Sequence, residues 1–155
     1  MPKVSVSQTS ITYKRSRFST RLPANYLYTT SHFWLVEVEP TIWQVGLTKF
    51  AARMLGDIVE YGFEIKKDQT VEVGQIIGWL EGFKAITDLY CVAAGEFYSV
   101  NSFLEEDSEI IKSDPYGKGW LYQVKGKPEP NALNVNGYAQ FLDGTIDKML
   151  SQESK

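Results

Sequence analysis

Residues 81–90 read EGFKAITDLY, and they place a single charged side chain, Lys84, within an apolar part of the chain. Residues 73–80 before it and residues 86–94 after it are rich in Val, Ile, Leu and aromatic side chains, as strands are. A lone charge between two such segments marks either a turn exposed to water or a reactive side chain. The composition and motifs of the surrounding chain help to distinguish these interpretations.

Strand signals also dominate the sequence before this stretch. Residues 32–38 and 41–47 are rich in β-branched and aromatic side chains, and a Glu39-Pro40 turn separates them. A short helix is predicted over residues 49–55, between an N-cap and a glycine in the left-handed conformation. Its cap is Thr48, its stop is Gly56, and its apolar face consists of Phe50, Ala51 and Met54.

A weak internal repeat surrounds Lys84. The segments VGQII (73–77) and AGEFY (94–98) each contain a glycine, then a polar residue and two apolar residues. We expect two strand pairs to face each other in a flattened sandwich or barrel. Lys84 would then lie at the connection between the two halves.

The last third of the chain alternates helical and extended patterns. Residues 101–111 predict a short acidic helix, residues 120–124 a closing strand, and residues 125–134 a linker. The tail has the spacing of an amphipathic helix that docks on the core. Its apolar stripe consists of Tyr138, Phe141, Leu142, Ile146, Met149 and Leu150. The fold class is therefore mainly β, with short helices and a C-terminal helix.

The composition argues against several classes of protein. The chain has 155 residues, 43% of them hydrophobic and 23% charged, which fits one ordinary globular domain. No segment approaches the ~20 apolar residues that span a bilayer. One cysteine rules out an internal disulfide framework, and with one histidine it argues against a metal site.

Charge is distributed unevenly along the chain. Residues 1–25 contain five basic residues and no acid, so that 11 basic and 19 acidic residues remain, a net charge of −8. An acidic body argues against nucleic-acid binding, which depends on neutralising phosphates.

The basic start of the chain, residues 1–25, has two interpretations. Its Ser/Thr-rich, acid-free composition resembles an organellar presequence. The strand-like pattern of Val4, Val6 and Ile11 favours a retained arm instead, as an edge strand or a docking segment. We divide the chain into this arm, a main domain over residues 26–150, and a tail over residues 151–155.

Several motifs then occur in one order across residues 26–150. Their order and spacing resemble the H protein of the glycine cleavage system. The resemblance implies a flattened β-sandwich of the biotinyl/lipoyl-carrier type, a cytoplasmic protein, and a carrier rather than an enzyme. A carrier that must dock on several enzymes is simplest as a monomer. The motifs are YTTSHFW (28–34), VGLT (45–48), LGDIV (55–59), EGFKAITDLY (81–90), GE (95–96), VN (100–101) and DPYGKGWL (114–121).

The resemblance also answers the question raised by Lys84. In this family the modified lysine lies at a tight hairpin turn, three residues after a glutamate and eleven before a glycine. Glu81, Lys84 and Gly95 match that spacing. The resemblance implies that Lys84 bears covalent lipoate, and that Glu81 and Asp88 are read by a lipoate-attaching ligase or transferase. Dihydrolipoamide dehydrogenase is a further implied partner.

The sequence departs from the family pattern around the expected lipoyl arm. Phe33 stands between His32 and Trp34 where the family has an acid, and Gly82-Phe83 replaces the usual Ser-Val. A small residue and a proline after the DLY segment have become Cys91-Val92. Because the changes cluster around the arm, they suggest a changed cargo or a changed partner.

These departures make the chain most similar to the H-protein-like lipoate-binding proteins of bacterial sulfur oxidisers. That resemblance implies a heterodisulfide-reductase-like partner complex and transfer of sulfur intermediates or electrons. Phe33 decides in its favour, because a neutral dithiolane suits an apolar groove, whereas an aminomethyl cation calls for a carboxylate. The alternatives are a divergent glycine-cleavage carrier of the aminomethyl group and a non-lipoylated H-like binding module.

His32, Phe33, Gly82, Phe83 and Cys91 are thus the expected surroundings of the arm. A thiol beside a dithiolane could exchange with it through a mixed disulfide. The preferred interpretation of Cys91 is nevertheless a buried, inert strand cysteine. His32 has no nucleophile near it in sequence, so we expect it to have a structural hydrogen-bonding role.

Overall fold

The computed structural model describes residues 9–153, in which eleven strands form three antiparallel sheets. The helices are one 3-10 helix (Ser102–Glu105) and the α-helices α1 (Lys49–Leu55), α2 (Ile110–Ser113) and α3 (Val135–Glu153). No helix in the described range is long and apolar enough to span a membrane. The strands are β1 (Ser10–Arg15), β2 (Phe18–Pro23), β3 (Leu27–Tyr28), β4 (Phe33–Glu39), β5 (Ile42–Leu47), β6 (Ile58–Phe63), β7 (Thr70–Val71), β8 (Ile76–Gly82), β9 (Ile86–Tyr90), β10 (Ala93–Val100) and β11 (Tyr122–Pro128).

A six-stranded sheet forms the centre of the fold, in the order β3-β4-β5-β11-β10-β7. A three-stranded sheet, β6-β8-β9, packs on one of its faces, and β1 and β2 form a separate hairpin. The sequence-based prediction of a mainly β sandwich with short helices and a C-terminal helix is confirmed.

Two hydrophobic cores lie on opposite faces of the six-stranded sheet, because successive side chains of a strand point in opposite directions. On β4, Phe33 and Leu35 point into the sandwich, where they pack in one core with Ile77, Leu80 and Leu89 of the three-stranded sheet. Trp34 points the other way, into a second core with the hairpin, α1 and α3. Its indole N–H donates to the Pro115 carbonyl at 2.8 Å.

The second core incorporates much of the basic N-terminal segment. Tyr13, Phe18 and Leu22 of the hairpin are buried against α3. The hydroxyl of Tyr13 donates to Asp143, and the guanidinium of Arg15 to Asp147. Ile11 lies in β1 as the strand-like pattern predicted, whereas Val4 and Val6 lie outside the described residues.

Two elements of the last third differ from the sequence-based prediction. The prediction of a single acidic helix over residues 101–111 is wrong, because a 3-10 helix and α2 form instead, separated by a turn. Asn101 caps the 3-10 helix, and its side-chain amide donates hydrogen bonds to the Lys118 and Trp120 carbonyls. The linker prediction is also wrong at its start, because β11 continues through Lys127 to Pro128 by pairing with β10. Strand propensity is weak in this Lys- and Gly-containing stretch, so pairing decides its structure.

Lys84 does not connect the two halves of the sandwich, which corrects the expectation drawn from the internal repeat. It lies between β8 and β9, within one sheet, where Glu81 pairs with Ile86 across the hairpin. The chain crosses from the three-stranded to the six-stranded sheet at Cys91 and Val92. The two repeated segments therefore reach different sheets, with a complete hairpin between them.

Candidate functional site

Lys84 is exposed at the tip of the β8–β9 hairpin, and the backbone on both sides of it is held in place. The amide of Lys84 donates to the Leu55 carbonyl at 2.8 Å, and the amide of Phe83 donates to the Asp57 carbonyl at 2.7 Å. The connection between α1 and β6 thus supports the turn. Lys84 is thus an exposed lysine on a fixed backbone, and its ammonium lies 3.5 Å from the Arg53 carbonyl of α1.

Two glycines allow this close approach. A Cβ on Gly82 would lie 2.1 Å from the Leu55 carbonyl oxygen, well inside contact distance. Gly56 has a φ of +77°, as the sequence predicted for the end of α1, and a Cβ there would lie 3.0 Å from Cγ of Lys84. The missing side chain of Gly82 therefore lets the hairpin tip rest on the end of α1, and Gly56 supplies the positive φ with which the helix ends.

A groove of about 220 Å³ begins beside the hairpin tip; we call it the arm groove. It runs between α1, β9 and the start of β4. No Asp or Glu side chain is among its lining residues, which are Ser31, His32, Phe33, Leu47, Phe50, Ala51, Met54, Leu55, Ala85, Ile86, Thr87 and Tyr90. The groove is thus suited to an apolar chain rather than to a cation.

His32 and Phe33 both line this groove. Phe33 is only 2% exposed and belongs to the sandwich core. His32 has a positive φ of 69°, and its Nδ1 is hydrogen-bonded to the Tyr138 hydroxyl at 2.8 Å, which is in turn bonded to Thr48. Burial lowers the pKa of His32 to about 4, so the imidazole is neutral at pH 7.

This burial makes His32 a source of acid sensitivity. His32 of the unfolded chain takes up a proton below its pKa of about 6.5, whereas His32 of the folded chain stays neutral. The free energy of unfolding therefore has its full value above that pH. It falls as the pH drops towards 4, by about 3 kcal/mol in total. We expect His32→Asn, which tolerates a positive φ, to lessen the decline in unfolding free energy over this range. Equal pH slopes for the wild-type and variant chains, measured by urea unfolding, would contradict the assignment.

The predicted recognition acids lie on the outer face of the hairpin, away from the sandwich core. Glu81 is half-buried on β8 and pairs across the sheet with Glu60 of β6. Asp88 is exposed on β9 opposite Trp79, on the face that Glu81 shares. The lysine thus has an acidic sheet face on one side and the apolar arm groove on the other.

Cys91 lies apart from the other predicted arm residues. Its side chain is fully buried at the far end of β9, and Sγ donates to the Ala93 carbonyl at 3.0 Å. Burial raises the pKa of the thiol, which keeps it protonated and weakly nucleophilic. Cys91 does not line the arm groove.

The structure adds residues that sequence reasoning did not connect with the site. Ile86 is 70% exposed, and with Phe83, which the sequence did place near the arm and which is 83% exposed, it puts two large apolar side chains beside Lys84 in water. The predicted apolar face of α1 supplies another part of the groove: Phe50, Ala51 and Met54. The apolar spacing of these three residues was the signal available in the sequence. The position of this face opposite β9, with Met54 45% exposed, depends on tertiary packing.

Within residues 9–153, His, Cys, Asp and Glu side chains nowhere gather in groups of three or more that could hold a metal ion. The chemical features of the site are therefore an exposed lysine, an apolar groove without carboxylates, and a neutral histidine.

Comparison with known proteins agrees with this geometry. The family model described as "Glycine cleavage H-protein" matches residues 26–143. The chain is 41% identical to a protein named glycine cleavage system H protein from Corynebacterium jeikeium, over 77% of this chain and 95% of that protein. It is 42% identical to a protein of the same name from Bacteroides thetaiotaomicron, over 79% of this chain and 98% of that protein.

A solved structure is also similar. The crystal structure of a glycine cleavage system H protein from Mycobacterium marinum superposes with a TM-score of 0.69 at 31% identity, covering 77% of this chain and 97% of that one. The chain therefore belongs to the glycine cleavage H-protein family, whose members are lipoyl carriers rather than enzymes and hold lipoate covalently on a lysine.

Proposed function

We propose that the chain is the H-protein component of a cytoplasmic glycine cleavage system, with lipoate attached to Lys84. It would carry the aminomethyl group of glycine between a decarboxylase and an aminomethyltransferase. The observation that supports this most strongly is an exposed lysine on a supported hairpin tip beside an apolar groove. Relatives near 40% identity that carry the glycine-cleavage name favour this cargo over sulfur.

The residues around Lys84 fit a lipoyl group. Lipoate, when bound, supplies group transfer and two-electron thiol chemistry through its dithiolane. The Leu55 and Asp57 carbonyls hold the backbone from which the arm projects. Phe33, Ile86 and Tyr90 offer an apolar surface that keeps water from a docked alkyl chain.

The proposed partners follow from the same role. Glycine cleavage enzymes would act on the loaded arm, and dihydrolipoamide dehydrogenase would reoxidise it. A lipoate-attaching ligase or transferase would recognise the outer face that contains Glu81 and Asp88. Their exposed or half-exposed carboxylates are available for such contacts.

A second candidate function is sulfur transfer with a heterodisulfide-reductase-like complex. The observation that favours it is the missing carboxylate: Phe33 occupies the groove position at which an acid is expected in an aminomethyl carrier. A buried cation without an anionic partner is costly, whereas a neutral sulfur cargo needs none. The named relatives give this candidate less support than the first.

Reconstitution separates the two candidates. We expect the lipoylated chain to release labelled CO2 from carboxyl-labelled glycine when it is mixed with purified glycine decarboxylase, aminomethyltransferase and dihydrolipoamide dehydrogenase from the same organism, with an acceptor for the one-carbon unit and an oxidant for the dehydrogenase. The rate should rise with carrier concentration and then saturate. A rate equal to that without carrier, together with reduction of the lipoyl disulfide by the heterodisulfide-reductase-like complex, would replace the first candidate by the second.

A further inference from the structure

A second groove, of about 260 Å³, lies beside the arm groove; we call it the terminal groove. It is bounded by the turn of the β1–β2 hairpin, by α1 and by the end of α3. Its lining residues are Arg15, Ser16, Arg17, Phe18, Phe50, Arg53, Met54, Ile146, Met149, Leu150 and Glu153.

Most of the terminal groove is built from segments outside the family match at residues 26–143. The hairpin precedes that range, and the last turns of α3 follow it. Only α1 contributes from within it. The groove is therefore an addition to the carrier domain rather than part of it.

Unpaired cations border an apolar floor. Arg15 is paired with Asp143 and Asp147, but neither Arg17 nor Arg53 has a carboxylate partner within residues 9–153. The guanidinium of Arg53 lies 5.7 Å from the centre of the Phe18 ring and donates to the Arg17 carbonyl, which fixes it at the rim. Glu153 is the one acid among the lining residues.

The terminal groove adjoins the arm groove. Phe50 and Met54 line both. The ammonium of Lys84 lies 3.5 Å from the Arg53 carbonyl, so the rim of the terminal groove adjoins the base of the proposed arm. A protein that receives the arm would meet this rim at the same time.

We propose that the terminal groove is the docking site for an acidic segment of the enzyme that receives the lipoyl arm. That segment would place one large apolar side chain on Phe50 and Met54, with Asp or Glu against Arg17 and Arg53. Charge complementarity selects this occupant: the rim holds two guanidinium groups that have no carboxylate partner within residues 9–153, whereas the chain after residue 25 has a net charge of −8 and repels acidic surfaces elsewhere. The proposal rests on the carrier function proposed above.

The test compares two charge-matched double variants of the lipoylated chain. Arg17→Glu with Arg53→Glu reverses the rim, and Lys125→Glu with Lys127→Glu makes the same charge change on exposed positions of β11. Binding is measured by calorimetry to purified glycine decarboxylase, to the aminomethyltransferase and to the heterodisulfide-reductase-like complex. We expect the rim variant to weaken binding to at least one of them by about tenfold or more, and the control to change it less than about twofold.

The salt dependence of binding and the oligomeric state of the chain provide two further tests. Wild-type binding should weaken more than rim-variant binding as ionic strength rises from about 0.05 M to about 0.5 M. Equal affinities of the rim variant and the control for every enzyme that the chain binds would overturn the proposal while leaving the carrier function intact. A dimer in sedimentation that the rim variant abolishes would assign the groove to a second copy and also overturn it. Failure of the lipoylated chain to bind any of the three enzymes would overturn both proposals.

Discussion

Replacing Lys84 with arginine is expected to abolish lipoate attachment while leaving the fold intact. The side chain is exposed, and the hydrogen bonds that hold the turn come from the backbone, so the variant loses little stability. A guanidinium cannot form the lysine amide that links the cofactor. Intact-mass measurement after coexpression with a lipoate ligase should show the lipoyl increment in the wild-type chain and none in the variant.

A matched control is Lys125→Arg, on exposed β11 outside the hairpin. It should acquire lipoate as the wild-type chain does. The unfolding free energies of both variants should lie within about 0.5 kcal/mol of the wild-type value. Carrier activity should disappear in the Lys84 variant alone. A lipoyl increment in Lys84→Arg would show that another lysine bears the cofactor.

Gly82→Ala is expected to have the largest effect on stability among single changes at the hairpin tip. The new Cβ would lie 2.1 Å from the Leu55 carbonyl oxygen, so the turn must move off α1 or the backbone must distort. Overpacking of this kind costs about 1–3 kcal/mol, and lifting the tip also breaks the hydrogen bonds from Phe83 and Lys84. Urea unfolding should show a loss of about 2–3 kcal/mol, with slower lipoate attachment in the folded fraction.

Gly144→Ala is the natural control for this substitution. It also adds one Cβ, but nothing lies within 4 Å of the new atom in α3. Alanine in a helix interior should leave stability unchanged or raise it by up to about 1 kcal/mol. An unfolding free energy for Gly82→Ala within about 0.5 kcal/mol of the wild type would refute the tight contact between tip and helix.

The local structure of the site could be predicted from the sequence, but the way its segments pack together could not. The apolar segments around Lys84, the capped helix ending at Gly56 and the stripe of α3 all have periodic or capping signals that act over a few residues. The hydrogen bonds from the tip to Leu55 and Asp57 join segments almost thirty residues apart, and no local pattern encodes them.

The N-terminal segment shows the same division between local and long-range information. The basic composition of residues 1–25 gave no indication that Tyr13 and Phe18 would be buried against α3. The hairpin turn carries Arg17, which has no carboxylate partner within residues 9–153, to the rim of the terminal groove, next to Arg53 of α1. Only the packing of β1, β2, α1 and α3 together creates that surface, so no one of these segments could predict it.

The missing carboxylate in the arm groove bears on which group the lipoyl arm carries. Phe33 was the residue that decided for sulfur chemistry among the departures in the sequence, and it lines a groove with no Asp or Glu among its described lining residues. Yet about 40% identity to glycine-cleavage proteins along nearly their whole length favours the aminomethyl cargo. Both candidates require the same modification of the same lysine, which is therefore the central claim.

Non-reducing mass spectrometry of the Lys84-containing peptide, taken from protein isolated from its native cells, tests that claim most directly. The account predicts a lipoyl increment on Lys84. An aminomethyl adduct on it would support glycine cleavage, and additional sulfur would support the second candidate. An unmodified Lys84 in cells whose other lipoyl proteins are loaded would contradict the carrier function and leave a non-lipoylated binding module in its place.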